Sequence, residues 1–583
     1  MMSEEFPKLS ENALKVLQKR YLQKGRSGEV IETPEDMFWR IARNVASVDS
    51  IHHDRDAETE GKEFHRMMRS LEFLPNSPTI MNAGTSMQQL AACFVIPVGD
   101  SIEQIFDAVK FAAIIHQTGG GTGFSFSRLR PAGDLVASTG GTASGPISFM
   151  KVFDAATEAV KQGGRRRGAN MGVLRVDHPD IKEFVRAKAD LKTLSNFNIS
   201  VGVSDDFMDR ATGGRQFELV NPRNSKVTGT VHAGSLLDEI CSLGWSTGDP
   251  GMIFLDEINR TNPTPRLGEI ESTNPCGEVP LLPFEACNLG SVNLDRMLTV
   301  RGGEYELDHE KLKDTVDAGI RFLDNVIDVS RYPLKRIDLV VKGNRKIGLG
   351  MMGFADILVK LGLRYGSRGS LDLADEIIRI IRDQAEETTR MIGEQRGNFP
   401  NIDAGDFRSP RRNATVLSIA PTGTISMIAN CSSGIEPYFA LYYDKHVLDG
   451  EILHETNQFF FEQLHRNGLG TKRIMELMSN RGTIKDIDEI PEEMRNIFVT
   501  AHDIEPDQQV RMQSIFQEHV DNGVSKTINL PESSSVEDVR RIYLLAHELH
   551  CKGITVYREG TKPGQVLTSA GRGVGCMTCG QLV

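Results

Sequence analysis

The 583-residue chain lacks several features that would mark other classes of protein. Its eight cysteines are too thinly spread for a disulfide scaffold, so those that matter should be catalytic, redox-active or metal-binding. Apolar runs such as residues 111–115 fall far short of the ~18 residues of a membrane span. The first residues, MMSEEFPKLSENALKVL, carry early acidic residues and no apolar signal segment. We therefore expect a cytoplasmic protein with no membrane partner.

Positive charge is also in short supply. Lys and Arg total 67 against 79 Asp and Glu, which gives a net charge of −12. This balance argues against broad binding to nucleic acid, although it leaves room for a local basic pocket. Hydrophobic residues make up 39% and charged residues 25%, a globular mixture that excludes a disordered or collagenous chain.

Familiar nucleotide and cofactor motifs are missing or incomplete. No Gly-Lys pair is followed by Ser or Thr, so there is no Walker A loop. Residues 348–353 (GLGMMG) match GxGxxG but lack a clear preceding strand, so we interpret these glycines as helix packing. Residues 444–450 approach a cobalamin-ligand DxHxxG pattern, but Gly450 stands one position too far. We therefore predict that His446 is an ordinary histidine and predict no metal site.

The apolar pattern predicts an α/β architecture. Two amphipathic helices, 101–118 and 146–162, carry apolar faces that suit either core packing or a four-helix subunit interface. Residues 371–395 read as a long helix, and residues 415–420 (TVLSIA) as a buried strand. The glycine-rich stretches 118–123, 139–145 and 163–169 predict tight loops where backbone approaches something closely.

The stretch 274–293 (NPCGEVPLLPFEACNLGSVN) is the most informative. If its start is extended, Asn274, Cys276 and Glu278 alternate and point to one face. Cys287 lies eleven residues after Cys276, which spans about 36–40 Å when extended. Two thiols in one site therefore require the chain to double back, and Pro280 and Pro283 suit that turn. The alternative is two buried structural cysteines.

Two more motifs allow a functional and a plain interpretation. Residues 421–426 (PTGTIS) follow the predicted strand and suit either a phosphate cradle at a helix start or a simple turn. Cys576 and Cys579 form a CxxC pair near the end of the sequence, without a second pair to complete a four-cysteine zinc site. This pair suits a thiol–disulfide shuttle better than a partial metal site.

Together these motifs resemble the ribonucleotide reductases, specifically the dimeric adenosylcobalamin-dependent class II enzymes. The likeness runs from PNSPTIMNAG at 75–84 to KGITVYREGT at 552–561, and its most specific elements are NPCGE, ACNLGSVNL and APTGTIS. The resemblance implies a ten-stranded α/β barrel of two five-stranded parallel half-sheets, threaded by a central finger loop. It also implies reduction of ribonucleotides, most readily diphosphates, to 2′-deoxyribonucleotides by thiyl-radical chemistry.

The resemblance assigns roles to individual residues. Cys276 would carry the thiyl radical, Glu278 would deprotonate the 3′ hydroxyl, and Asn274 would bind the ribose hydroxyls. Cys93 and Cys287 would be the reducing pair, recharged through Cys576 and Cys579 by thioredoxin or a similar dithiol. The positions that match substrate contacts are Ser77, Thr79, Ala92, Gly121, Pro421, Thr422, Gly423, Thr424, Ile425 and Ser426. Those that match the deoxynucleotide specificity effector are Asp100, Ser101 and Arg130.

The subclass is inferred from positions where this sequence departs from the class I and class III patterns. Class I enzymes carry two adjacent tyrosines for radical transfer where this sequence reads Thr555-Val556-Tyr557-Arg558. Class III enzymes need a C-terminal glycyl-radical motif with a following tyrosine, which Arg572-Gly-Val-Gly-Cys576 does not provide. The alternatives are a class I catalytic subunit that needs a radical-generating partner, and a non-catalytic nucleotide-binding relative.

The expected organisation has three parts. Residues 1–85 form a mainly helical region, 86–560 the catalytic barrel with effector and dimer helices at about 100–165, and 561–583 a flexible redox tail. The N-terminal region is too short for the family's ATP-cone switch. The expected partners are the ribonucleotide substrate, the deoxynucleotide effector, a dithiol reductant and a second copy of the chain. No nucleic-acid partner is expected.

Overall fold

A computed structural model describes residues 9–52, 55–136, 140–160, 168–447, 451–471, 473–474, 477–478, 483–561 and 567–569. The predicted shuttle pair Cys576 and Cys579 lies outside these residues, and so does Gly450. Among the described residues, no helix combines the length and apolar character needed to cross a membrane.

The N-terminal region is helical up to residue 69. Its helices begin at side-chain caps, because Ser10, Thr33 and Asp56 each accept a backbone N–H three residues ahead. Two of these helices pack on the long helix His309–Val329 of the barrel. The elements of this region are Glu11–Val16, the π-turn Leu17–Tyr21, Pro34–Ala46, Asp49–His52, Ala57–Arg69, Phe73–Pro75 and Ser77–Asn82.

Five parallel strands form the first half of the barrel. They pair in chain order, each with the next, as the register Cys93↔Gly121 and Gly251↔Ser200 illustrates at the two ends. Helices between consecutive strands supply the crossovers that parallel pairing requires. The strands are β1 Cys93–Val95, β2 Gly121–Ser125, β3 Asn170–Arg175, β4 Phe197–Val203 and β5 Gly251–Phe254.

The second half contains four regular strands and one extended segment. β6 pairs with β7 in parallel, and β8 pairs with β9 in parallel. The segment 415–420 lies between β7 and β8 through the parallel bridges Leu349↔Leu417 and Ile419↔Val524. The strands are β6 Ala286–Asn293, β7 Ile347–Met352, β8 Thr527–Leu530 and β9 Gly553–Arg558.

The predicted strand at 415–420 is therefore only an extended, bridged segment. The N–H groups of Val416 and Leu417 donate to the Asp521 carboxylate at 2.8 and 3.0 Å instead of continuing a regular ladder. Since a side chain takes these donors, the segment keeps its place in the wall without a full strand pattern.

Two antiparallel contacts close the barrel. β1 meets β6 with Cys93 opposite Cys287, and β5 meets β9 with Met252 opposite Ile554. The wall thus consists of ten extended segments in two parallel halves of five that run in opposite directions. This confirms the predicted ten-stranded α/β barrel. Phe73–Pro75 adds an antiparallel strand outside β6.

Helices cover the outside of the barrel. The predicted helices at 101–118, 146–162 and 371–395 correspond to Ile102–Gln117, Pro146–Ala159 and Arg368–Arg396. Further helices are Ile181–Arg186, Asp205–Thr212, Ala233–Thr247, Leu255–Arg260, Lys335–Asn344, Phe354–Lys360, Ile425–Ala429, Gln458–Arg466, Glu492–Ile497, Pro506–His519 and Val536–Glu548. Short antiparallel strands outside the barrel are Leu135–Val136, Gly141–Thr142, Gln216–Asn221, Lys226–His232, Leu298–Arg301, Glu304–Leu307, Tyr442–Val447, Glu451–Thr456 and Leu567–Ser569.

The GxGxxG match has a different explanation from the predicted helix packing. Gly348 and Gly350 lie inside strand β7. A Cβ on Gly350 would lie 2.3 Å from the Ser418 carbonyl oxygen, and one on Gly348 would lie 2.6 Å from the Ser418 Cβ. These glycines therefore let the 415–420 segment approach β7, and the helix-packing interpretation was wrong.

Candidate active site

A hairpin inside the barrel, residues 272–281, carries the predicted radical cysteine. Ser272–Thr273 pairs antiparallel with Pro280–Leu281, and the tip between them contains Cys276. The chain reverses at the tip, where Gly277 has φ 82°. The chain doubles back as expected: Pro280 lies on the returning strand and not at a turn, whereas Pro283 lies in the turn at 283–284 that leads into β6.

The barrel wall is shaped to accept this hairpin. A Cβ on Gly123 of β2 would lie 1.7 Å from the Thr273 carbonyl oxygen, closer than any real contact. A Cβ on Gly121 would lie 3.1 Å from the Pro275 ring. The glycine-rich stretch at 118–123 was predicted to allow a close backbone approach, and at these positions the approaching backbone is the hairpin.

Both halves of the barrel hold the tip in place. From the first half, Asn198 Nδ2 donates to the Pro275 carbonyl oxygen at 2.9 Å. From the second half, Ser418 Oγ and the Gly523 N–H both donate to the Glu278 carbonyl oxygen, at 2.9 and 2.7 Å. The backbone on either side of Cys276 is therefore fixed by opposite walls. Sequence reasoning missed Asn198 and Ser418, because nothing in their neighbourhoods distinguishes them from ordinary strand residues.

Asn274 and Glu278 come together by a turn and not by the predicted strand alternation. Gly277 N donates to the Asn274 carbonyl oxygen at 3.1 Å, and Val279 N donates to Asn274 Oδ1 at 2.9 Å. The extended backbone expected at 274–278 was therefore wrong. The Asn274 side chain instead links the tip to the wall, since its Nδ2 donates to Cys93 Sγ at 3.2 Å.

Glu278 is a buried carboxyl with an unused hydrogen-bond acceptor. It is 2% exposed, and its Oε2 has no hydrogen-bond partner among the described residues. Burial raises its pKa from 4.5 to about 7, and a side-chain hydrogen bond with Asn274 only partly opposes this. A carboxyl with a pKa near neutrality can both accept and return a proton, which suits a general base.

Cys93 and Cys287 face each other where the two halves of the barrel meet. They are an opposed pair in the antiparallel ladder of β1 and β6, and both are free thiols in this structure. Opposed residues have Cα atoms about 4.5–5.5 Å apart, which lies within the roughly 4.4–6.8 Å that a disulfide needs. Burial raises the pKa of both thiols, so at neutral pH they are protonated.

Cys276 has a different environment from that pair. It is half-buried, whereas Cys93 and Cys287 are 4% and 0% exposed. Cys276 nevertheless lies close enough to the pair for its charge, like that of Cys287, to raise the pKa of Cys93. The arrangement therefore combines one accessible thiol with a buried, disulfide-competent pair.

Two of the predicted substrate positions, Ala92 and Gly121, adjoin the cysteine pair. Ala92 donates its N–H to the Cys287 carbonyl oxygen at 3.1 Å and accepts from the Gly121 N–H at 2.8 Å. Ser77 Oγ is 2.8 Å from the Tyr21 hydroxyl, and Thr79 Oγ1 donates to the Leu90 carbonyl oxygen at 3.0 Å. Ala92 and Gly121 thus adjoin the cysteine pair, and Ser77 and Thr79 begin the helix Ser77–Asn82.

Residues 421–426 form a tight loop directly after the segment that carries Ser418. Thr422 has φ 51°, its Oγ1 accepts from Gly434 N at 2.8 Å, and its carbonyl oxygen accepts from Ser426 N at 2.8 Å. Ser426 Oγ is 3.0 Å from Ser433 Oγ. The short helix Ile425–Ala429 follows. The remaining predicted positions in this loop are Pro421, Gly423 and Thr424.

The predicted effector residues lie at the start of the helix Ile102–Gln117. Ser101 caps this helix by accepting the Gln104 N–H at 3.2 Å. Arg130 Nε donates to Asp100 Oδ2 at 2.9 Å, and Arg130 N donates to Asp100 Oδ1 at 3.1 Å. These three residues are therefore adjacent at the start of this helix.

The tyrosines that bear on the subclass lie in two different sheets. Val556 and Tyr557 lie on β9, with Val556 buried. Tyr442 and Tyr443 lie on a strand of a separate three-stranded sheet outside the barrel wall. Tyr442-Tyr443 therefore does not restore a tyrosine pair on β9.

Comparisons with known proteins agree with this architecture. Residues 7–88 match the family model "Ribonucleotide reductase, all-alpha domain", and residues 91–411 and 405–557 match "Ribonucleotide reductase, barrel domain". A vitamin B12-dependent ribonucleoside-diphosphate reductase of Thermoplasma acidophilum is 46% identical over 96% of this chain and 80% of that protein. One from Mycobacterium tuberculosis CDC 1551 is 46% identical over 97% of this chain and 81% of that protein.

A solved structure shows the same fold. The class Id ribonucleotide reductase alpha subunit of Actinobacillus ureae superposes with a TM-score of 0.79, covering 95% of this chain and 97% of that chain at 23% identity. With family matches over most of its length and relatives at 46% identity, the chain belongs to the ribonucleotide reductase family.

Proposed function

We propose that this chain reduces ribonucleoside diphosphates to 2′-deoxyribonucleotides, with adenosylcobalamin as the radical source and a cysteine pair as the reductant. The observation that carries the proposal is the hairpin tip with Cys276, Asn274 and Glu278 beside the opposed Cys93 and Cys287. The two relatives named as vitamin B12-dependent ribonucleoside-diphosphate reductases support both the cofactor and the diphosphate.

The exposure of the thiols fits such a cofactor. A radical source that binds from outside needs an accessible thiol, and Cys276 is half-buried while Cys93 and Cys287 are buried. Bound adenosylcobalamin supplies the organic radical that takes the hydrogen atom from a thiol. The hairpin tip, held by Asn198 and Ser418, would present Cys276 to it. The single tyrosine at 556–557 argues against the class I alternative.

Three residues of the chain would have separate roles at the substrate. The Cys276 thiyl radical would abstract the ribose 3′ hydrogen, while Glu278 takes the proton of the 3′ hydroxyl. Asn274, already bonded to Cys93, would hold the ribose hydroxyls between the radical and the reducing pair. Loss of the 2′ hydroxyl as water would follow, and burial of Glu278 keeps its pKa of about 7 suited to proton transfer in both directions.

The cysteine pair would supply the two electrons. Cys93 and Cys287 would end the cycle as a disulfide, for which their opposed ladder positions need little movement. A dithiol would then restore them by exchange. We propose that Cys576 and Cys579 relay this exchange from thioredoxin or a similar donor. In this scheme, residues 561–583 form a redox tail outside the barrel of 86–560 and the helical region of 1–85.

Substrate and effector sites complete the proposal. Residues 421–426, together with Ser77, Thr79, Ala92 and Gly121, would bind the nucleotide. Asp100, Ser101 and Arg130 would bind a deoxynucleotide effector. The helices Ile102–Gln117 and Pro146–Ala159 would pair with those of a second copy, since Ile102 and Phe106 are 59% and 51% exposed on the first of them.

The test is reduction of CDP and CTP by the purified chain with dithiothreitol and an effector deoxynucleotide, with and without adenosylcobalamin. We expect deoxynucleotide only with the cofactor, and faster from CDP. Product that requires an added radical-generating subunit instead would support the class I alternative. Binding of nucleotide without any reduction would support a non-catalytic relative.

A further inference from the structure

A buried lysine lies beside one member of the cysteine pair. β6 and β7 run parallel with Asn288 opposite Ile347, so the preceding residues, Cys287 and Lys346, are also neighbours across the ladder. Adjacent strands are about 4.7–4.9 Å apart. Lys346 is 1% exposed, which is rare for a lysine unless it is paired.

Lys346 and Cys287 share the inner face of the barrel. Cys287 and Leu289 pack together in the interior cluster with Cys93 and residues of the hairpin. A Cβ on Gly348 would meet the Leu289 side chain at 2.5 Å, so position 348 points to the same face. Because alternate residues of a strand share a face, the side chain of Lys346 starts on that face too.

The Lys346 ammonium donates to one carboxylate partner. Lys346 Nζ donates to Glu285 Oε2 at 2.7 Å. The same carboxylate also accepts from Leu282 N at 2.6 Å and from Asn344 Nδ2. Within the described ranges, Glu285 is the acceptor found for the ammonium, which has three N–H groups. Two donors therefore remain for a negative charge that forms nearby.

Among the described residues, the main influences on the other cysteine include no cation. Burial raises the pKa of Cys93, and so do the charges of Glu278, Cys287 and Cys276, while a neutral hydrogen bond from Asn274 lowers it. At Cys287, Lys346 is the largest influence that lowers the pKa against the effect of burial. Cys93 is also slightly more accessible, at 4% exposed against 0% for Cys287. The two sulfurs of the pair are therefore not equivalent.

We propose that Lys346 fixes the direction in which the Cys93–Cys287 disulfide is reduced: the incoming thiolate attacks Cys93, and Cys287 leaves as a thiolate beside the Lys346 ammonium. This inference rests on the proposed use of the pair as the reductant. It assigns Lys346 as a positioning residue for the regeneration step, with Glu285 holding it in place.

The step balances with a dithiol as the reductant. One dithiol sulfur forms a disulfide with Cys93 Sγ while the Cys93–Cys287 bond breaks. The electron pair of the broken bond passes to Cys287 Sγ. The second dithiol sulfur then attacks the first, which releases Cys93 and leaves the dithiol oxidised to a disulfide. The two protons lost by the dithiol end on Cys93 and Cys287.

The direction of attack is tested by trapping the mixed disulfide. The full chain, oxidised at Cys93–Cys287, is treated briefly with limiting glutathione, which has one thiol, and is then acid-quenched and alkylated. We expect mass spectrometry to find glutathione on Cys93 and the alkyl group on Cys287. Glutathione on Cys287 in most of the trapped protein would overturn the proposal.

The role of the lysine is tested by the rate of disulfide reduction without nucleotide or cofactor. Removing a cation beside a thiolate raises its pKa by about 1–3 units, so Lys346→Met should slow reduction by dithiothreitol roughly 3- to 30-fold. Lys346→Arg should restore most of the rate. Lys346→Met/Glu285→Gln removes both charges and should stay slow while preserving the fold. The matched control is Lys188→Met/Asp249→Asn, another buried pair joined at 2.9 Å, with an unchanged rate.

A single-turnover experiment separates this inference from the proposed function. Prereduced Lys346→Met, loaded with adenosylcobalamin and CDP, should form deoxynucleotide in its first turnover at about the wild-type rate. Equal slowing of the first turnover and of disulfide reduction would overturn the proposal, because it would indicate general damage. Absence of product from the prereduced wild type would instead refute the proposed function.

Discussion

The protonation of Glu278 can be tested through protein stability as well as activity. Glu278→Gln replaces a titrating carboxyl, 2% exposed, with an isosteric amide. The wild-type pKa is about 7 in the folded protein against an ordinary value of 4.5. Between these values the folded state binds more protons than the unfolded state, so wild-type stability falls as the pH rises.

The size of this effect follows from the two pKa values. From pH 5 to pH 8 the wild type should lose about 2.5 kcal/mol of unfolding free energy at this residue, a loss that the Gln variant does not share. Any pH-independent cost of the amide cancels, because only the change between the two pH values is compared.

Guanidinium unfolding of both proteins at the two pH values measures this difference. We expect the stability of Glu278→Gln relative to the wild type to improve by about 2.5 kcal/mol between pH 5 and pH 8. Glu278→Asp keeps a titrating carboxyl in the pocket and should keep the pH dependence. A relative stability of Glu278→Gln that is the same at both pH values would refute the raised pKa and the role of burial in it.

Three further perturbations follow from the structure. Gly123→Ala places a Cβ 1.7 Å from the Thr273 carbonyl oxygen and should reduce deoxynucleotide formation at least about 100-fold by displacing the hairpin. The control Gly229→Ala places its Cβ in open space and should leave the activity unchanged. Equal activities of the two variants would contradict the close packing of Gly123 against the hairpin. Phe106→Asp should convert a dimer to a monomer in sedimentation, and an unchanged mass would place the interface elsewhere. Removal of residues 570–583 should abolish turnover with thioredoxin but spare it with dithiothreitol, and equal losses would count against the shuttle.

Much of the fold was predictable because its signals are local or family-specific. The helices Ile102–Gln117 and Arg368–Arg396 follow apolar periodicity and side-chain caps such as Ser101 and Ser367. The closure of the barrel was expected only from the family resemblance. Its physical basis, the antiparallel contact of Cys93 with Cys287, joins residues 194 positions apart and has no local signal.

The predictions from sequence were wrong where contacts between distant residues override the local pattern. The alternation of Asn274, Cys276 and Glu278 resembles a strand, but hydrogen bonds within the tip and to the barrel wall make it a turn. Gly348 and Gly350 resemble a nucleotide loop or helix packing, but their partner is the segment around Ser418. Residues without a motif, such as Asn198 and Lys346, become visible only when the strands around them are placed.

In the proposed function, the opposed cysteine pair supplies the electrons for nucleotide reduction. The most direct measurement is a single turnover of prereduced protein with adenosylcobalamin, CDP and no external dithiol, followed by acid quench, alkylation and mass spectrometry. We expect one Cys93–Cys287 disulfide for each deoxynucleotide formed. Deoxynucleotide formed while both cysteines remain alkylatable, or a disulfide between other cysteines, would contradict it.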